Sequence, residues 1–155
     1  MIEIFRMLGW ILVFANFGYA ALYPDMQKTP GEADPKATKE EICQRGYATK
    51  NRHVTQATKK KVYELYGITD RKPNEYQIDH LISLCLGGTN SIKNLWPQPI
   101  LFLDQHNRNA GAIQKDVVEK ELCRKVCKGE LSLEEARDIE VNRWFRYYKQ
   151  MKGLK

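Results

Sequence analysis

Residues 76–99 read YQIDHLISLCLGGTNSIKNLWPQP. Within 76–86 the apolar residues Ile78, Leu81, Ile82, Leu84 and Leu86 alternate closely enough for a strand or strand pair, which Gly87 and Gly88 end. A polar loop over 89–93 leads to Asn94, Leu95, Trp96 and Pro97, and Pro97 with Pro99 keeps this piece out of a helix. Upstream, Ala57, Val62, Leu65 and Tyr66 recur at roughly helical spacing over 54–66, with Thr55 as N-cap and Gly67 as stop. Downstream, Ala110, Ile113, Val117, Val118, Leu122 and Val126 make one apolar face over 107–127, closed by Lys128 and Gly129. Ser132 and Glu135 form a capping box for a last helix with a stripe of Leu133, Ala136, Trp144, Tyr147, Tyr148 and Met151. The predicted order is helix, two short strands, helix, helix, an α+β class with Trp96 and Trp144 in the core.

The rest of the 155 residues sets the frame. There are 25 Lys plus Arg against 19 Asp plus Glu, a net charge of +6, which favours a polyanionic partner. An apolar fraction of 43% supports one packed domain and argues against a disordered chain. Internal repeats are not apparent. Over 7–21 an almost unbroken apolar run follows Arg6, and Gly18-Tyr19-Ala20 places small residues where a signal peptidase reads, so 1–20 is expected to be a signal peptide. An uncleaved anchor is the rival, although 15 residues fall short of the ~20 a bilayer span needs. Residues 21–39 hold three prolines and no periodicity and are predicted to be a flexible leader, with the domain over 40–151 and a basic tail over 152–155.

Export places the four cysteines in an oxidising compartment, periplasmic or extracellular. Zinc is disfavoured, because Cys123 and Cys127 are four apart in a helical pattern while Cys43 and Cys85 are single and distant. Of the three possible pairings, Cys123 with Cys127 along one helix face is the least attractive, and Cys85 could equally be a buried free thiol.

The chemistry centres on Asp79 and His80. Adjacent side chains on a strand point to opposite faces, so the two do not readily bind one ion, but a kink could set them on two sides of one phosphate. Asp79 offers a hard oxygen to a cation such as Mg, and His80 can take a proton from water. The imidazole then needs a partner that fixes it, and Asn94 carries both donor and acceptor for that role.

The string from Tyr76 to Pro99, with its D-H pair, G-G turn and N-L-W-P-Q segment, resembles the HNH endonuclease family, specifically its small exported members. The likeness extends over 42–150, through Ile42, Cys43, Gly46, Tyr47, Arg52 and the Tyr66-Gly67-Ile68 segment upstream. Downstream it takes in Lys115, Asp116, Glu119, Val126, Cys127 and Gly129. The resemblance implies a ββα-metal core of two short antiparallel strands and a helix, with Asp79 on a divalent cation (Mg or Mn), His80 as general base and Asn94 orienting the catalytic loop. It further implies a ligand near the start of the following helix, for which His106 or Asn107 is the candidate, although the spacing between Pro99 and Lys115 departs from the family's. Cys85 stands where the family often has an acid. The resemblance favours a Cys43–Cys127 bridge.

Acid-free basic runs over 44–62 and 141–155 offer surface to phosphate, with Arg52 and Arg108 the expected contacts near the scissile group. The resulting expectation is a metal-dependent endonuclease acting on DNA with low sequence specificity and without a stable protein partner. A catalytically inactive HNH-like binding module is the alternative, and a disulfide-stabilised structural domain a third reading that leaves the D-H and N-L-W-P spacing unexplained.

Overall fold

The computed structural model describes residues 22–155; the expected signal peptide at 1–20 lies outside them. The fold is mixed α and β, with one two-stranded antiparallel sheet and several helices. Two short helices, α1 (Lys39–Ile42) and α2 (Tyr47–Asn51), precede α3 (Gln56–Leu65). Strand β1 (Tyr76–His80) then pairs with β2 (Leu95–Pro99) from Tyr76 opposite Pro99 to His80 opposite Leu95. Helix α4 (Ala112–Lys128) follows, and α5 (Leu133–Asp138) continues through a π-helical turn (Ile139–Arg143) into α6 (Trp144–Met151). Helix α3 starts where Thr55 Oγ1 accepts from the Thr58 amide, and α5 where Ser132 Oγ accepts from the Glu135 amide. Thr38 and Glu41 make a full capping box for α1, an element the sequence pattern did not single out.

Three expectations are corrected. The apolar run 76–86 is strand only as far as His80; Leu81, Ile82, Leu84 and Leu86 are all buried, so their spacing reflects a loop enclosed on every side rather than a sheet with a wet face. Helix α4 begins at Ala112, not near Asn107, because a turn centred on Asp104–Asn107 brings Leu103 opposite Asn109. Gly111 makes this approach possible: a Cβ there would stand 2.1 Å from the Ile100 carbonyl oxygen.

The third correction concerns the flexible leader. Residues 22–38 form an ordered strap across the domain. The amides of Gly31 and Asp34 donate to the carbonyls of Lys93 and Gly87, and the Thr89 amide donates to the Glu32 carbonyl. Thr29 is fully buried, its hydroxyl donating to the Leu95 carbonyl and meeting the Tyr66 hydroxyl at 2.8 Å. At the far end Trp144 Nε1 donates to the Leu22 carbonyl. A proline-rich composition excludes helix, but it does not prevent an extended segment from pairing with a loop.

The core gathers Ile82 and Leu86 from the loop, Val118, Leu122 and Val126 from α4, and the buried Trp144 of α6. Two disulfides, Cys43–Cys127 and Cys85–Cys123, tie α1 and the short 3₁₀ turn Leu84–Leu86 to α4, and no cysteine is free. They fit an oxidising environment. Among the described residues no helix is long and apolar enough to cross a membrane.

The Cys43–Cys127 bridge closes a separation of 84 residues. Loop-closure entropy makes such a link worth about 4 kcal/mol. Replacing both cysteines by Ser is expected to lower stability by that order in urea unfolding followed by circular dichroism, and an unchanged midpoint would refute a structural role.

Candidate active site

The loop joining the strands is held by one side chain. Asn94 is fully buried; its Nδ2 donates to the carbonyls of Ile82 and Thr89, and its Oδ1 accepts from the amides of Ile82 and Glu32. Both halves of the amide are therefore engaged with backbone, and Asn94 positions the loop without a group left for reacting atoms. Gly88 lets the loop close around it, since a Cβ there would lie 1.8 Å from the Ile82 carbonyl oxygen.

His80 ends β1, almost fully buried, and its Nε2 lies 3.1 Å from Asn90 Oδ1. Asn90 in turn donates from Nδ2 to the Asn51 carbonyl at 2.8 Å, and its Oδ1 also accepts from the His53 amide. A carbonyl can only accept, so the Asn90 amide nitrogen must face Asn51 and its oxygen must face the imidazole. Nε2 then carries the proton, and Nδ1 is left with the lone pair. Burial lowers the His80 pKa from its usual value against the opposing effects of Asn90 and Asp79, which favours the neutral ring with a lone pair free to accept a proton. The partner that fixes the imidazole is thus Asn90, not Asn94.

Asp79 points the other way, opposite Trp96 in the register, and the strand pairs without a kink through His80. On its side Asp79 meets Asp116 and Glu119 of α4, three carboxylates with ligand atoms within 4.8 Å of one another. Lys115 sits among them, fully buried, its Nζ donating to Asp79 Oδ2 at 3.0 Å, to the His80 carbonyl at 2.7 Å and to Glu119 Oε1. Behind it the buried Glu140 accepts from the Ser83 amide and hydroxyl, each at 2.7 Å. Burial works against the charge on Lys115, but Asp79, Glu119 and Glu140 together hold its pKa above the usual value. Burial, with Asp79 adding to it, pushes the Asp116 and Glu119 carboxyls up, in Glu119 against the neighbouring ammonium.

This donor set could hold a metal ion: Asp79, Asp116 and Glu119 bring three carboxylate oxygens within reach of one point, and oxygen donors suit a hard cation. Trp96 Nε1 and both amide atoms of Gln98, on the same face of β2 by strand alternation, are buried without a protein partner, so the surroundings can also support bound water. Asp116 and Glu119 lie about one and two turns into α4, whereas the expectation is a ligand near the start of this helix, at His106 or Asn107. His106 and Asn107 lie elsewhere: both are exposed in the turn before the helix, and Asn107 adopts a left-handed φ of 56°. Arg108 is likewise elsewhere, held to Asp104 by its Nε and Nη2 and to the Lys155 carbonyl. Arg52, exposed at the end of α2, is near enough to lower the pKa of both His80 and Asp116 by its charge.

Comparison of the chain with protein-family models, with curated proteins and with solved structures gave no match.

Two outcomes are expected. Asn94→Ala strands several buried backbone groups and should lower stability by about 3 kcal/mol in chemical denaturation, with loosened hydrogen exchange over 81–94. Asp104 is partly desolvated, which alone would raise its pKa, yet hydrogen bonds from Arg108 and the His106 amide hold it at about 2 against a usual 3.8. Its contribution to stability is therefore present above about pH 4 and lost as pH falls towards 2. Asp104→Asn should remove that increment of acid sensitivity in melting temperatures measured across this window.

Proposed function

We propose that this chain is a metal-dependent endonuclease of the HNH type that hydrolyses phosphodiester bonds of DNA with low sequence specificity. The observation that carries the reading is the hydrogen bonding of His80: a buried imidazole whose Nε2 meets Asn90 Oδ1, with Nδ1 unshared among the described residues, next in sequence to a carboxylate that shares a cluster with α4. The order of two antiparallel strands followed by a helix supports the same reading. His80 Nδ1 accepts a proton from a water molecule as that water attacks phosphorus. Asp79, Asp116 and Glu119 would hold Mg or Mn, which when bound neutralises the phosphate and stabilises the departing oxygen. Lys115 fixes Asp79 and Glu119 in place, Asn94 fixes the loop, and Arg52 pairs with a non-bridging phosphate oxygen.

Two observations favour a second reading, an inactive nucleic-acid-binding module: the unkinked strand turns the Asp79 and His80 side chains to opposite faces, and the Lys115 ammonium already contacts two of the three carboxylates and so takes part of the place a cation would fill. Nicking of supercoiled plasmid separates the two. Activity with Mg or Mn, lost on addition of EDTA and reduced at least about 100-fold in His80→Ala, is the expected result. Binding without nicking under any divalent metal would favour the module, and wild-type nicking by a folded His80→Ala protein would overturn the mechanism.

A further inference from the structure

The site at His80 leaves a basic feature unused at the other end of β1. Between α3 and the segment 68–71 lies a cleft of about 560 Å³ whose lining includes Lys59, Lys60, Tyr63 and Arg71 against one carboxylate, Glu64. A second hollow shares Thr69 and Arg71 and continues past Asp70, Lys72 and Asn74 to Tyr76, the first residue of β1, so that it too sets one carboxylate among its cations. The Arg71 guanidinium lies 3.9 Å over the Tyr63 ring, and among the described residues it makes no ion pair or hydrogen bond. A stacked guanidinium gives up its flat face but keeps the edge N–H fork, the geometry that accepts two oxygens of one phosphate. Lys60 is as available, because its ion pair with Glu64 is 3.8 Å long and both side chains are largely exposed. The same stack covers the Tyr63 face, so that ring is closed to a base. The cationic groups of the cleft are thus placed for backbone phosphate.

We infer that this cleft binds the phosphodiester backbone of the nucleic acid, with Arg71 as the fork and Lys59 and Lys60 beside it. The position relative to cleavage rests on the reading of His80 as the general base. Tyr76 and His80 are four residues apart on one strand, about 13 Å at ~3.3 Å per residue, which is about four nucleotides of duplex at 3.4 Å each. The cleft therefore holds the strand at a distance from the bond being cut.

The test is binding of a 20-base-pair duplex of arbitrary sequence to the purified protein, by fluorescence anisotropy in EDTA over a range of salt. Arg71→Ala should weaken binding about tenfold and lower the salt slope by about one unit, with Lys60→Ala lowering the slope similarly. Arg71→Lys, which keeps the charge but not the fork, should recover the slope and only part of the affinity. Wild-type affinity and slope in Arg71→Ala and Lys60→Ala would overturn the inference, as would polyglutamate displacing the duplex at equal charge concentration. Failure of the nuclease reading shows separately, as binding through this cleft with no nicking under any metal.

Discussion

Lys115 is the constraint on which the arrangement of the site depends. Its ammonium has three protons and finds three acceptors, one on the β1 side chain Asp79, one on the β1 backbone at His80 and one on Glu119 of its own helix. An ion taken out of water is tolerated only when paired and fully hydrogen-bonded, and here each acceptor belongs to an element that must be in place first. Strand β1 and helix α4 are thereby locked in one register, because sliding α4 by a turn would leave a buried cation unpaired. Glu140 extends the lock to the last helical run, and through Ser83 to the loop between the strands. Polar burial of this kind contributes little net stability, but it makes the alternatives costly.

The disulfides and the strap complete what the ion cluster begins. The sheet has only two strands, too few to stand alone, so it needs cover on both faces. Helix α4 covers the Asp79 side, and the Cys85–Cys123 bridge fastens the loop's 3₁₀ turn to that same helix. On the loop's outer side the 22–38 strap supplies backbone partners at Lys93, Gly87 and Thr89, and gives Asn94 its fourth hydrogen bond through the Glu32 amide. Asp79 and His80 therefore sit at the end of a strand whose following loop is held on both sides.

Much of this was legible in the sequence, and what was not has identifiable physical reasons. Thr55, Ser132 and Gly129 marked helix ends because capping is local chemistry, carried by a residue and its near neighbours. The start of α4 was misread because apolar spacing continues back to Ala110, and periodicity cannot register a backbone that turns for reasons of close contact at Gly111. Asn90 was overlooked inside a polar loop, where an amide reads as solvated; only the carbonyl of Asn51, 39 residues away, gives it direction. Lys115 and Glu119 are four apart on a helix, a spacing that ordinarily signals a solvated surface pair. That Lys115 is instead fully enclosed follows from packing against Asp79, 36 residues earlier, which no local pattern encodes.

The charge distribution that results has a consequence for any polyanionic ligand. A chain of net charge +6 carries its excess on the surface, in α3, at Arg71 and along the C-terminal run, while its buried interior next to His80 is acidic. Surface cations draw a phosphodiester strand in from a distance, in a salt-dependent way. At close range the cluster does not simply repel that strand: burial holds Asp116 and Glu119 towards their neutral forms, and the Lys115 ammonium offsets Asp79. A divalent cation entering with the ligand would favour their ionised forms, with protons released as it binds. On the proposed reading, cation binding and proton release are thus coupled at this cluster, while Arg71 and Lys60 hold the nucleic acid whether or not the cation is bound.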